Sequence, residues 1–235
     1  CCWVVGAAAA TDAADGTAAA QHVLQAIDGI APDGVRGRER TKARLMRAAY
    51  EVFAEVGLDG ASVEAICERA GFTRGAFYSN FSTKEELFFE LVRAVTDRKL
   101  EAVSQRVDGL RAQDAALTPN ELVQSVLDGT VEGLFDVVLM SEIRLRAMRD
   151  DETARAYLAW ASSLIDRVQR MIESLVTSYG LRLRLPARDV ARLVLTVWED
   201  ALITAAIERI DDDGLRRRAE SQTQQLALAL VDAAS

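Results

Sequence analysis

From about residue 38 onward, apolar positions recur at the helical spacing of roughly 3.6 residues, and no stretch shows the strict alternation of a half-buried strand. Leu45, Ala49, Val52, Phe53 and Val56 share one face of a helix expected over 39–56, which Gly57 stops. Ser62 is an N-cap for a short helix that runs through Ala70 and ends at Gly71, because its hydroxyl can accept from an unpaired backbone N–H. Thr73 caps a third helix expected to reach Phe81. Ser82, with Glu85 three residues on, forms a capping box for a fourth, whose stripe continues through Leu87, Leu91 and Val95. Longer helices are expected over 119–130, 132–149, 152–179, 187–209 and 213–234, with loops at Gly180 to Pro186 and Asp211 to Gly214. The expected fold class is all-α.

Residues 1–37 are rich in Ala, Gly and Asp and read as a poorly ordered leader, with one amphipathic candidate in "QHVLQAIDGI". The formal net charge of the 235-residue chain is −8, which on its face disfavours a phosphate-bearing partner. Its distribution changes that picture. Residues 36–84 hold nine Lys or Arg against six Asp or Glu, a local net charge of +3, which leaves −11 on the remainder. The run from Arg36 to Arg47 either follows a phosphate strand or a minor groove, or is a solvated charge run.

Cys1, Cys2 and Cys67 are too few and too badly spaced for a disulfide framework or a four-ligand zinc site, and Cys67 reads as a small buried hydrophobe. No apolar run approaches the roughly 20 residues that cross a bilayer, and the first residues lack the basic region of a secretory signal. His22, the sole histidine, lies in the leader, and neither a phosphate-binding glycine loop nor a nucleophile elbow is present. An enzyme is thereby disfavoured. No cofactor, metal or membrane contact is expected, and the expected location is cytoplasmic.

The stretch "GFTRGAFYSNF" carries three large rings in eleven residues and sits within two short helices joined by a glycine turn, the dimensions of a helix-turn-helix. Phe77 and Phe81 lie one turn apart and can close a small core with Val52, Phe53 and Ile66. Arg74 and Tyr78 are rotated to the other side, next to Gly75. A tyrosine there can give its hydroxyl to a phosphate while the glycine permits close approach, and Asn80 and Lys84 follow at the start of the next helix, whose free N–H groups favour an anion.

With that register, "RLMRAAYEVFAEVGLDGASVEAICERAGFTRGAFYSNFSTKEELFFELV" resembles the N-terminal domain of TetR-family transcriptional regulators. The resemblance implies a helix-turn-helix DNA-binding domain over 38–84 and a helical ligand-binding and dimerisation domain over 85–235. It implies a ligand-responsive repressor that acts as a homodimer on a palindromic double-stranded DNA operator. Carried over, Ser62 and Thr73 cap helices against phosphates, Arg74, Gly75 and Ala76 face bases, and Tyr78, Asn80 and Lys84 hold the backbone. Ser79 and Asn80 depart from the aromatic and His that the family often places there. An architectural DNA-binding protein without a ligand is the rival reading, and it would call for broader positive charge than the acidic body carries.

In the body, Leu215, Ala219, Gln222, Leu226, Ala229 and Ala233 recur at spacings of 4 and 3, the seam of one helix along another, either between subunits or within one. Residues 190–207 are apolar nearly all round. Tyr157, Trp160, Leu164, Met171 and Leu175 share one side of a long helix. They are plain core or, with Phe135, Met140, Met148 and Trp198, the lining of a small-molecule effector site. Glu199 and Asp200 interrupt this apolar segment, and three readings stand: partners of a cationic ligand, partners of an Arg across a dimer, or exposed acids.

Overall fold

A computed structural model of the chain describes residues 37–112 and 134–233, together with Val23, Leu24, Ile27 and Glu121. The helices are α1 (Arg38–Gly60), α2 (Val63–Ala70), α3 (Arg74–Tyr78), α4 (Lys84–Ala112), α5 (Leu134–Ala147), α6 (Asp151–Ser178), α7 (Ala187–Ile207) and α8 (Asp212–Leu230). Strands β1 (Leu181–Leu183) and β2 (Val231–Ala233) are short. The all-α expectation therefore holds, with one two-stranded addition.

Local chemistry sets the boundaries of the first four helices. Gly57 interrupts α1 with φ 72° and ψ 175°, a conformation essentially confined to glycine, and one further turn follows to Gly60. Ser62 Oγ accepts from the Ala65 N–H at 3.1 Å and Thr73 Oγ1 from the Ala76 N–H at 3.3 Å, as N-caps do. Gly71, at φ 69°, returns its N–H to the carbonyl end of α2. Two expectations shift. Helix α3 ends short of Phe81, where Ser79 Oγ and the Asn80 side-chain amide take the Gly75 and Ala76 carbonyls at 2.8 Å each. The capping box of α4 is displaced by one residue: Thr83 Oγ1 accepts from the Glu86 N–H at 3.0 Å, and Glu86 accepts from the Ser82 N–H at 2.6 Å.

The principal core joins α1, α2 and α3 to the start of α4 and to α5. Phe53, Phe77, Phe81 and Phe88 are buried within it, with Phe77 against Phe81 at a centroid distance of 5.8 Å and Phe53 edge-on to Phe88 at 6.0 Å. Leu139 and Ile143 of α5 belong to the same core, so the cut anticipated between residues 84 and 85 falls inside continuous packing. Val23 and Ile27, within the expected poorly ordered leader, are helical and buried in this core, one turn apart. The remainder of that leader, and the helix expected over 119–130 apart from Glu121, lie outside the described residues.

Helices α6, α7 and α8 form the rest of the body, and Asp150 caps α6 by accepting from the Thr153 N–H at 2.7 Å. The seam anticipated on α8 is used in part inside the subunit, since Leu215 and Ala219 are buried against Ala201 and Ala205 of α7. Its last member, Ala233, lies beyond the helix. The helix expected to continue to 234 gives way at Val231, where β2 pairs antiparallel with β1. Arg184 holds this junction by donating to the Leu230 carbonyl at 3.0 Å and by a two-pronged bond to Asp232 at 2.6 and 3.0 Å.

Candidate nucleic-acid interface and cavity

Helix α3 has two unlike sides. One carries Phe77, fully buried, and the other carries Arg74, Gly75 and Tyr78, all exposed, with Tyr78 at 51%. The Arg74 guanidinium lies 5.8 Å from the Tyr78 ring and 2.8 Å from Glu64, and the Tyr78 hydroxyl and the Glu64 carboxylate raise its pKa. Both partners of the Arg74–Glu64 pair are more than half exposed, so solvent screens the contact and a stronger anion can replace it. Gly75 has an ordinary helical φ, and a Cβ added there would meet only Thr73 Oγ1, at 3.7 Å. Nothing inside the subunit requires glycine at this position, where it lowers helix propensity. The bare backbone leaves room there for close approach from outside.

The other anticipated interface residues are differently placed. Ser62 and Thr73 are exposed caps at the starts of α2 and α3, while Ala76 and Asn80 are half-buried. Lys84 is also half-buried, and its ammonium donates to the Leu58 and Ala61 carbonyls at 2.7 and 2.8 Å, closing the end of α1. Much of the basic charge counted in the sequence is engaged in the same way. Lys42 pairs with Glu90 at 2.5 Å, Arg44 donates to the Ala70 carbonyl at 2.7 Å and lies over Phe72, and Arg69 bridges Glu51 and Glu55. These bonds raise the pKa of Arg69 and lower that of Glu55, so the pair stays charged. Cys67 is buried beneath this surface, and desolvation raises its thiol pKa.

The body contains a cavity of about 370 Å³ between α4, α5, α6 and α7, within the size range of small-molecule sites. Six of the residues anticipated for a ligand line it: Met140, Tyr157, Trp160, Leu164, Met171 and Trp198. Met148 does not; it lies past the end of α5, 74% exposed. Phe135 is within α5, but its side chain lies outside the described residues.

Sequence reasoning missed Arg144. It lines the cavity, pairs with Glu199 of α7 and donates from Nε to the Tyr157 hydroxyl at 3.1 Å. Glu199 and Asp200 are both exposed, as one of the three readings has it, and Glu199 is in addition held by an arginine of its own subunit. The available signal was the spacing of Met140 and Arg144, one turn apart on α5. Two residues to either side, the same helix grips the head. Glu142 Oε2 accepts from the Leu58 N–H at 2.6 Å, beside the Gly57 break, and Arg146 pairs with Asp59 and Glu85 at 3.1 Å each.

Known proteins resemble this chain in the sequence of the head and in overall fold. Residues 45–91 match the family of bacterial regulatory proteins, tetR family. The HTH-type transcriptional regulator UidR of Escherichia coli (strain K12) is 29% identical over 114 residues, 48% of this chain and 55% of UidR, so the chain spans about half the length of that relative. The crystal structure of a TetR transcription regulator from Haloarcula marismortui superimposes with a TM-score of 0.60 at 17% identity, over 82% of this chain and 99% of that one. Thermus thermophilus FadR, a TetR-family transcriptional repressor crystallised with lauroyl-CoA, does so with a TM-score of 0.57 at 21% identity, over 80% and 93%. At these identities the two structures establish the likeness of fold. Residues 45–91 thus match the tetR family of bacterial regulatory proteins in sequence, and the described fold is like that of solved TetR-family regulators.

Proposed function

We propose that the chain is a sequence-specific DNA-binding transcriptional regulator, a repressor released from a palindromic operator by a small molecule. The observation that carries this reading is the exposed Arg74–Gly75–Tyr78 flank of α3, backed by the buried Phe77 and Phe81. In it, 38–84 is the reading head and 85–235 the ligand-binding and dimerisation body. Arg74, Gly75 and Ala76 meet base edges, while Tyr78, Asn80 and the caps Ser62 and Thr73 meet the backbone. Lys84 contributes mainly by holding the end of α1 beneath that surface.

A homodimer presents two such heads to successive major grooves about 34 Å apart. Helices α7 and α8 leave Leu193, Ile207 and Leu228 exposed, an apolar set suited to a second copy of the chain. The effector occupies the cavity, as the lauroyl-CoA of the FadR structure suggests by likeness. It favours a body conformation in which the heads no longer match that spacing, and the coupling is reciprocal, so operator DNA weakens effector binding equally. No helix among the described residues is long and apolar enough to cross a membrane, in keeping with a regulator working beside DNA in the cytoplasm.

Footprinting on the DNA flanking the chain's own gene tests the reading. Two protected stretches related by inverted symmetry are expected, weakening with added salt. Absence of protection at every salt concentration would refute it.

A further inference from the structure

We propose that the effector is an amphipathic acid, and that Arg144 senses it by exchanging Glu199 for the ligand's anionic group. The inference rests on the regulator reading and specifies the chemistry of its cavity. Among the described residues the ionisable lining consists of Lys99, Arg144 and Arg192 against the single carboxylate of Glu199, so the excess charge is positive. The remainder is chiefly aliphatic and aromatic, which selects an apolar body with one charged end. Thr223 lines the same space, is 1% exposed and has no hydrogen-bond partner for its hydroxyl among the described residues; an acceptor on the ligand would satisfy it.

Arg144 is the residue whose partner can change. Glu199 is about half exposed, so its carboxylate can return to water when displaced, whereas Arg144 is mostly enclosed and must keep an anion. The exchange leaves Arg144 paired and bonded to Tyr157 while releasing the tie between α5 and α7. At about 100° per residue, Val137, Met140, Ser141 and Arg144 fall on the cavity side of α5, Glu142, Ile143 and Arg146 fall on the side that grips the head, and Leu139 reaches both the core and the cavity. A small rotation or slide of α5 that follows the ligand therefore acts directly on the Leu58 N–H at the Gly57 break and on Asp59.

The test compares three ten-carbon probes, decanoate, decanol and decyltrimethylammonium, on the full-length protein. Quenching of tryptophan fluorescence reads binding, since Trp160 and Trp198 line the cavity, and operator release reads the response. Decanoate should bind more tightly than either other probe. Arg144→Gln should weaken decanoate about tenfold or more, the effect of losing a charged hydrogen bond, without changing decanol. Glu199→Gln should tighten decanoate by removing its competitor. That change opposes the Arg144 effect, so it decides the matter even if Arg144→Gln folds poorly. Glu142→Ala, which leaves the Leu58 N–H without its acceptor, should keep decanoate binding and blunt operator release. Preferential binding of the ammonium probe, or decanoate affinity indifferent to Glu199→Gln, would overturn the proposal. Undiminished release in Glu142→Ala would overturn the α5 route. If wild type binds a footprinted operator but not decanoate, this inference falls while the regulator reading stands; if no operator is bound, the regulator reading falls, and the probe ranking still decides the cavity's chemistry.

Discussion

The head around Phe77 and the body around the cavity are built from the same kind of amphipathic helix, but they dispose of their apolar residues differently. In the head, short helices bring large rings into a closed core in which Phe53, Phe77 and Phe81 are almost wholly buried. In the body, longer helices leave Tyr157, Trp160 and Trp198 facing a cavity of about 370 Å³. A close-packed core resists deformation because every shift opens a void or a clash, whereas side chains along a cavity have somewhere to move. The contrast suits a rigid surface that must match a duplex, coupled to a domain that must change shape on binding. Helix α5 belongs to both, with Ile143 in the head's core and Arg144 in the cavity wall.

Truncating one large apolar side chain on each side tests this contrast most severely. Phe77→Ala should destabilise the protein by about 3–5 kcal/mol, because the surrounding core cannot collapse fully into the space left. Leu164→Ala, which enlarges an existing cavity, should cost less than about 2 kcal/mol. Denaturant titrations of the two variants check the difference; equal losses would remove the distinction between a packed head and a yielding body.

Next in size is the junction between the regions. Gly57→Ala places a Cβ at φ 72° and about 3.0 Å from the Glu142 carboxylate, so it should destabilise by about 1–3 kcal/mol and weaken the hold of α5 on the head. Thermal unfolding measures the first effect and amide exchange at Leu58 the second. A neutral Gly57→Ala would show that α1 and α5 are not tied there.

Gly75→Ala sharpens the comparison within the head. The folded subunit has room for the methyl group, so stability should rise by up to about 1 kcal/mol while affinity for DNA falls. Parallel melting and DNA-binding titrations separate the two, and unchanged affinity would mean that no duplex approaches Gly75.

The smallest effect lies in the body. Hydrogen bonds from the Thr153 hydroxyl and N–H lower the pKa of Asp150, so its cap stabilises the fold above the ordinary carboxylate range and loses that contribution as pH falls through the depressed folded value. Asp150→Asn should therefore lower Tm near neutral pH, with the gap to wild type closing in acid. A gap independent of pH would contradict the assignment.

The same division explains what could be read from the sequence. Head boundaries follow from contacts a few residues apart: Ser62 to Ala65, Thr73 to Ala76 and the left-handed Gly71 are local rules, visible in one dimension. Even there the α4 cap lies one residue later than expected, because Ser82 and Thr83 both satisfy the pattern and only the reach of Glu86 decides between them. Helix content and four cavity residues, Tyr157, Trp160, Leu164 and Met171, were legible in the body from periodicity, and Met140 and Trp198 from their apolar character. The long-range pairs were not. Arg144 with Glu199, Arg184 with Asp232 and Lys84 with the end of α1 join segments whose proximity no local pattern encodes, and they decide which charges remain available. The helix expected to run to 234 ends at Leu230 for the same reason, since β2 depends on a strand nearly fifty residues earlier.

The central claim is that the exposed flank of α3 reads sequence, and the most direct measurement is the affinity of Arg74→Ala for a set of operators substituted one base pair at a time. The account predicts that discrimination collapses at one symmetry-related position in each half-site, by about 1–3 kcal/mol, while other positions keep theirs. A uniform loss across all sites, or an unaltered pattern of preferences, would contradict it.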